Sequence, residues 1–318
     1  MNIKKVCCYG SGIIGCGWAV SFLLGGCSVS LYDLTDEILE VAKQTVDDHL
    51  AFFVSEGIIS DNQRLDALKR LIVTSDAAEA LFKAQLVQEN TPERIALKHK
   101  AVEIIEANCS SDTIVASSTS GLLISDIAAY AKHPARFIGA HPYNPVYLIP
   151  LVELSGGANT NESYIQAGYE FYKAIDKEPV ILLKEAPGFI ANRLQHALYR
   201  EAADLVLRGV CSLEDVEKAA CFGPGLRWGL LGPNTVFQLG GGTSGVEGTL
   251  RHMAPSSKGW YEDMATWTEV PKDYIQTVQT MMNTALKNRD SEFGNTNEEI
   301  ARFRDKGLVM LLKYHKKI

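Results

Sequence analysis

The apolar run Val6 to Tyr9 leads straight into Gly10-Ser11-Gly12-Ile13-Ile14-Gly15, then Gly17 and the helical run Trp18 to Leu24. Few folds accommodate a strand, a GxGxxG turn and a helix in that order. The first glycine permits the tight bend, the second lets a pyrophosphate approach the backbone, and the third lets the helix lie close to the strand. Backbone N–H groups at the helix start then face the phosphates. A second apolar run, Val29 to Tyr32, ends at Asp33. A carboxylate there can accept hydrogen bonds from the ribose hydroxyls of an adenosine, although it also suits the N-cap of the next helix. Leu34, Thr35, Asp36 and Glu37 follow without a Lys or Arg for a 2'-phosphate, so the pattern favours NAD over NADP.

Short apolar runs continue to alternate with helical patterns at Leu71 to Val73, Leu86 to Val87, Thr113 to Ala116 and Phe137 to Ala140. Such alternation predicts parallel strands joined by crossover helices, an α/β doubly wound sheet. Ile149 to Leu154 and Pro179 to Leu183 are expected to close it, with a helix around Tyr164 to Ile175 between them. After Lys184 the period changes. Pro187 and Gly188 precede an amphipathic helix ended by Gly209, Ser212 and Asp215 start another, and Tyr274 to Leu286 and Asn297 to Tyr314 read as helical. Gly223 to Gly248 reads as loop and turn rather than regular structure, though helix pieces could hide within it. The expected organisation is a mostly parallel α/β domain over residues 1–185 and an all-α domain over 186–318.

Net charge is −7, from 31 basic and 38 acidic side chains, which disfavours nucleic acid as a partner. No run is long and apolar enough to span a membrane, and the start reads into a strand rather than a cleavable signal, so the expected setting is soluble and cytoplasmic. The seven cysteines include no CxxC pair, suggesting neither a disulfide framework nor a metal site.

His141 stands directly after the Phe137 to Ala140 run, where side chains emerge at the carboxyl edge of the sheet and ligands bind. An imidazole there can accept a hydroxyl proton as hydride leaves the same carbon. The imidazolium so formed needs a carboxylate, and Glu153, the lone acid in the run Leu148 to Leu154, is the candidate. Ser120, after another strand end, can bond a substrate oxygen or merely cap a helix over Leu122 to Ala131. Asn192, on the first helix of the second domain, can polarise a developing carbonyl if it points back to the crevice.

Taken in order, Gly10 to Gly17, Asp33, Val87-Gln88-Glu89 through Glu93 and Lys98, Ser117 to Ser120, His141-Pro142-Tyr143-Asn144-Pro145, Glu153 and Pro187 to Arg193 resemble the L-3-hydroxyacyl-CoA dehydrogenase superfamily. The resemblance implies a Rossmann-type NAD-binding domain and a helical domain for substrate and dimerisation, in a homodimer acting on a small molecule. It gives Ser120, His141, Glu153 and Asn192 the catalytic positions. Gly10, Ser11, Gly12, Ile13, Ile14, Gly15, Asp33, Glu93 and Lys98 become cofactor positions, and Asn144 joins Ser120 and Asn192 near the substrate.

Within that superfamily, acyl-CoA members carry a basic helix after the second strand. Here Val41 to Gly57 holds Asp47, Asp48 and Glu56 with a single Lys43, which would repel the phosphates of CoA. Gly223-Pro224-Gly225-Leu226-Arg227-Trp228, with Gly232-Pro233, is similar instead to the carnitine- and gulonate-dehydrogenase-like branch acting on free 3-hydroxy acids. There Arg227 would clamp a carboxylate, the alternative being a surface ion pair. Tyr143, Tyr147, Trp228 and Phe237 could meet a trimethylammonium group, and Gln238 and Asn234 a polyol. The expected reaction is NAD-dependent oxidation of a small L-3-hydroxy acid to its 3-keto acid. An acyl-CoA dehydrogenase and a non-catalytic, crystallin-like NADH-binding protein are the alternatives.

Overall fold

Eight strands in the first part of the chain form one sheet, each built from the apolar runs read above. The computed structural model describes residues 3–318. The strands are β1 (Lys5–Tyr9), β2 (Ser28–Tyr32), β3 (Leu71–Thr74), β4 (Leu86–Glu89), β5 (Ile114–Ser117), β6 (Phe137–Pro142), β7 (Leu151–Gly156) and β8 (Glu178–Ile181). Their order across the sheet is β3-β2-β1-β4-β5-β6-β7-β8. Helices α1 (Ile13–Leu24), α2 (Asp36–Ser55), α3 (Asp61–Leu68), α4 (Ala77–Leu81), α5 (Ile95–Asn108), α6 (Ile124–Ile127) and α7 (Glu162–Ala174) connect them. β4 and β5 are buried along their whole length with no alternation of burial, as expected of central strands covered on both faces; each opens on apolar residues and turns polar at its carboxyl end.

One pair breaks the parallel pattern. β6 and β7 are antiparallel, because residues 143–150 between them are too few for a crossover, which needs about a dozen residues or more. Their register sets His141 directly opposite Glu153. The connecting loop is tied down from beneath by Lys177, which is buried and donates to the carbonyls of Val146 and Ile149, its ammonium 5.5 Å from the Trp18 ring centre. Burial pushes the Lys177 pKa down to about 7.

By packing, the chain divides into two compact units, residues up to Arg193 together with Lys317–Ile318, and Leu194–Lys316. Helix α8 (Ala191–Leu207) starts in the first unit and continues into the second. The second holds α9 (Leu213–Ala220), α10 (Leu226–Trp228), α11 (Pro233–Gly240), α12 (Gly245–Asp263), α13 (Lys272–Lys287) and α14 (Asn297–Tyr314), and no strand among its described residues.

The reading of Gly223 to Gly248 as loop is corrected: α10, α11 and the start of α12 lie in it. Its glycines serve helix ends and close packing. Gly242 and Gly245, at φ +53° and +58°, make the sharp break before α12, and a Cβ on Gly241 would fall 1.7 Å from the Gly245 carbonyl oxygen. The helix expected over Leu122 to Ala131 is likewise reduced to the short α6. No helix among the described residues is long and apolar enough to cross a membrane.

Candidate active site

The glycine turn between β1 and α1 shows which of its glycines the protein needs for itself. Gly10 has φ +102°, and a Cβ on Gly15 would fall 1.9 Å from the Gly10 carbonyl oxygen, so both are required internally. Gly12 is different. A Cβ there would meet nothing within 4 Å, so no intramolecular contact demands glycine. A bare backbone facing open space is what the approach of a pyrophosphate requires. Gly12 is also the N-cap of α1, has no side-chain capping bond, and is followed by no acid in the first turn. The N–H groups at this helix start thus stay available to an anion.

Asp33, at the end of β2, accepts from the Ser11 backbone N–H and hydroxyl, both at 2.8 Å, and from the Leu34 N–H. It therefore ties the second strand to the glycine turn. It is not the cap of α2; that position belongs to Thr35.

A chain of buried ionic contacts runs from the end of β4. Glu89 is 1% exposed and accepts from the Lys98 ammonium at 3.0 and 3.2 Å, the Ser117 hydroxyl at 2.5 Å, the Thr91 N–H at 2.6 Å and the Thr91 hydroxyl. Lys98, equally buried, also stands 3.6 Å from Glu93. One Glu93 oxygen accepts from the Thr119 hydroxyl at 2.6 Å and from the N–H groups of Ser120, Gly121 and Leu122 at 2.9, 3.0 and 3.3 Å. These bonds consume the amides that would have opened a helix at Ser120, which explains why Ser120 is not a cap. Burial is the strongest influence on the Glu93 carboxyl and pushes its pKa up. The Thr119 hydroxyl, the Lys98 charge and the Gly121 and Leu122 amides outweigh it and hold the group below the ordinary carboxylate range.

Across the sheet, His141 Nδ1 lies 2.8 Å from Glu153 Oε2, with His141 4% exposed and Glu153 fully buried. The other Glu153 oxygen accepts from the N–H groups of Ile190 and Ala191, at 2.8 and 2.9 Å, where α8 begins. Burial is again the largest influence and pushes Glu153 up. Hydrogen bonds from His141, Ala191 and Ile190 and the charge of His141 together hold it below the usual range. A lowered carboxylate contributes stability that is fully present above its unfolded value, about 4.3, and is lost as pH falls through the lower folded value.

One residue further along α8, the Asn192 side-chain amide donates to the Ser120 carbonyl at 3.0 Å. Hydrogen bonds thus link the four candidate catalytic residues to one another through the chain at 190–192, and to Glu93, which stands 3.6 Å from the Lys98 ammonium. Asn144 lies exposed in the loop after β6, next to Tyr143, whose ring meets His141 edge-on with centres 5.9 Å apart. Arg227 is on α10 in the second unit, exposed, and lines a cavity of about 650 Å³ with Phe237, Ser244, Thr249 and His252. Gln238, a candidate partner for a polyol, is engaged internally: its carbonyl accepts from the Val246 N–H at 2.9 Å.

Two residues that carry weight here had no role read from the sequence. Glu89 is part of a motif only; an acid ending a short run that opens on the apolar pair Leu86-Val87 is the available signal. Phe189 likewise enters only within the Pro187 to Arg193 motif, and its left-handed backbone, at φ +51°, leaves no trace in hydrophobic periodicity.

The sheet order, the open glycine turn and the polar groups at the carboxyl ends of the strands define a nucleotide-binding α/β protein. Residues 5–186 match the family model for the NAD binding domain of 3-hydroxyacyl-CoA dehydrogenase, and residues 188–281 match its C-terminal domain. The chain belongs to the 3-hydroxyacyl-CoA dehydrogenase family and is an NAD-dependent dehydrogenase acting on CH–OH donors. It is 34% identical to L-carnitine dehydrogenase of Streptomyces coelicolor over 98% of this chain and 95% of that one. With L-carnitine dehydrogenase of Bacillus cereus it shares 39% identity over 81% of this chain and 78% of the relative. Among solved structures, 5-formyl-3-hydroxy-2-methylpyridine 4-carboxylic acid 5-dehydrogenase, an NAD+-dependent dismutase, is similar with a TM-score of 0.82 and 27% identity, covering 99% of this chain and 98% of that chain.

Proposed function

We propose that this protein oxidises a small free L-3-hydroxy acid, carnitine- or gulonate-like, to its 3-keto acid, with His141 and Glu153 as the general-base pair. The observation that carries the reading is the 2.8 Å bond from His141 Nδ1 to a carboxylate whose other oxygen is held by two backbone amides. That bond turns Nδ1 towards the carboxylate and leaves Nε2 to take the hydroxyl proton, while the ionised Glu153 stabilises the imidazolium that results. Ser120 and Asn192 orient the substrate oxygen, and Asn144 lies in the loop that follows the strand carrying the base. NAD, when bound, supplies the hydride acceptor. The residues proposed to hold it are Gly10, Ser11, Gly12, Ile13, Ile14 and Gly15 at the pyrophosphate, Asp33 at the ribose, and Glu93 and Lys98 towards the nicotinamide.

Two L-carnitine dehydrogenases at 34% and 39% identity support the free-acid reading. The charge of α2 supports it less than sequence alone suggests, since Asp47 is paired with Arg64 through contacts of 2.7 and 2.8 Å. Arg227 is proposed to hold the substrate carboxylate with its planar guanidinium. The domain limits proposed for these roles are 1–185 for the cofactor and 186–318 for substrate and dimerisation.

A homodimer is proposed through the helical unit. Leu226, Trp228, Leu239, Leu250 and Trp260 are each at least 45% exposed, apolar side chains that a partner subunit would cover.

A coenzyme-reduction assay over L-carnitine, L-gulonate, L-3-hydroxybutyrate and 3-hydroxybutyryl-CoA tests the substrate class. The expected result is kcat/KM higher by about tenfold or more on a free acid than on the thioester, a difference of about 1.4 kcal/mol in transition-state binding. An equal or better thioester would move the assignment to acyl-CoA chemistry, and tight NADH binding without turnover on any of them would favour the crystallin-like alternative.

A further inference from the structure

The chain does something costly at Phe189. Its φ is +51°, directly after Gly188 at +76°, so a bulky side chain sits in the left-handed region that glycine and asparagine ordinarily occupy. The Phe189 N–H donates to the Ala186 carbonyl at 3.0 Å, closing a tight turn. The ring it carries is 4% exposed and lies over the His141 imidazole, with centres 5.0 Å apart and planes at 29°. The two amides that follow are those that hold the Glu153 carboxylate.

A backbone outlier that persists beside functional groups points to what the side chain is kept for. Glycine would serve this turn without strain; only the ring explains the phenylalanine. A single hydrogen bond at Nδ1 leaves the imidazole free to tilt about that bond, and a flat ring on one face restricts the tilt, as offset aromatic pairs do. Tyr143 meets the same imidazole at 79°, without the overlap of faces that Phe189 makes.

We propose that Phe189 is a positioning residue for the His141–Glu153 pair: its ring sets the plane of the imidazole, and its strained turn delivers the amides that orient the carboxylate. This deepens the general-base reading above and rests on it. Phe189 touches the base and is not itself a participant in proton transfer.

The test compares Phe189→Leu, which fills the volume without a flat face, with Phe189→Tyr, which keeps the face. Phe189→Leu should lower kcat about 10- to 100-fold, the scale of a misplaced catalytic group, with KM for the hydroxy acid and NADH affinity within about twofold. Phe189→Tyr should restore most of the loss. In a histidine-selective NMR spectrum, the ring-proton resonances of His141 should move downfield in Phe189→Leu, as the shielding ring is lost, and stay near their native positions in Phe189→Tyr. Wild-type kcat in Phe189→Leu, equal losses in the two variants, or unmoved His141 resonances in Phe189→Leu would each overturn the proposal. The spectrum reads the ring contact without turnover, so a wrong role for His141 and a wrong role for Phe189 give different results.

Discussion

Replacing His141 with Gln is expected to lower kcat by about 100- to 10,000-fold, the range for loss of a positioned general base. Gln can still donate to Glu153, so the carboxylate is not stranded in a buried site and the fold should persist. What disappears is the group able to take up a proton: an amide is no base at neutral pH, while a neutral imidazole nitrogen is. The cofactor candidates lie on the glycine turn, the end of β2 and the β4–α5 segment, and none of them bonds His141. NADH affinity measured by fluorescence titration should therefore stay within about threefold of wild type, a change of about 0.7 kcal/mol or less. The loss then falls on kcat and kcat/KM together, the signature of an interaction made in the transition state. Near-normal turnover in this variant would remove His141 from the chemistry.

The second large effect is on stability. Lys98 and Glu89 are each 1% exposed, and the Glu89 carboxylate depends on that ammonium for its charge balance. Lys98→Met removes one partner and leaves the carboxylate buried, which typically costs about 3–5 kcal/mol. For a folding unit of this size that corresponds to a fall in Tm of roughly 6–20 °C. The double variant Lys98→Met with Glu89→Gln should regain most of the loss, because the neutral amide needs no counter-charge, its oxygen can still accept from Thr91 and its NH2 can donate to the Ser117 hydroxyl oxygen. Thermal unfolding of the two single variants, the pair and wild type measures the coupling. A Tm within about 2 °C of wild type in Lys98→Met would show that the pair contributes little.

The inner strands were readable because strands buried on both faces are mostly apolar runs, and the half-exposed edge strands β3 and β8 because their short apolar runs stand between helical patterns. The His141–Glu153 pairing was foreseeable as a chemical need but not as a geometry. It depends on β7 running antiparallel to β6 so that the two residues face each other across the ladder, a consequence of the short 143–150 loop. The glycine-rich stretch before α12 was misread because composition registers glycine as a breaker. Here a Cβ on Gly241 or Gly248 would collide within the bend, at 1.7 Å from Gly245 and 2.4 Å from Ser244, so these glycines serve close packing between helical turns. Glu89 and Phe189 were legible as motif letters only. Burial and backbone conformation gave them meaning, and neither is encoded in a single sequence's periodicity.

Tracing the hydrogen removed from the substrate tests the central claim most directly. L-Carnitine deuterated at carbon 3, or L-gulonate so labelled if it proves the faster substrate, is oxidised with NAD and the reduced coenzyme is weighed by mass spectrometry. The account predicts one deuterium per coenzyme reduced and none released to water. Label appearing in the solvent, or an unlabelled coenzyme formed during turnover, would contradict direct oxidation of a free 3-hydroxy acid at that carbon.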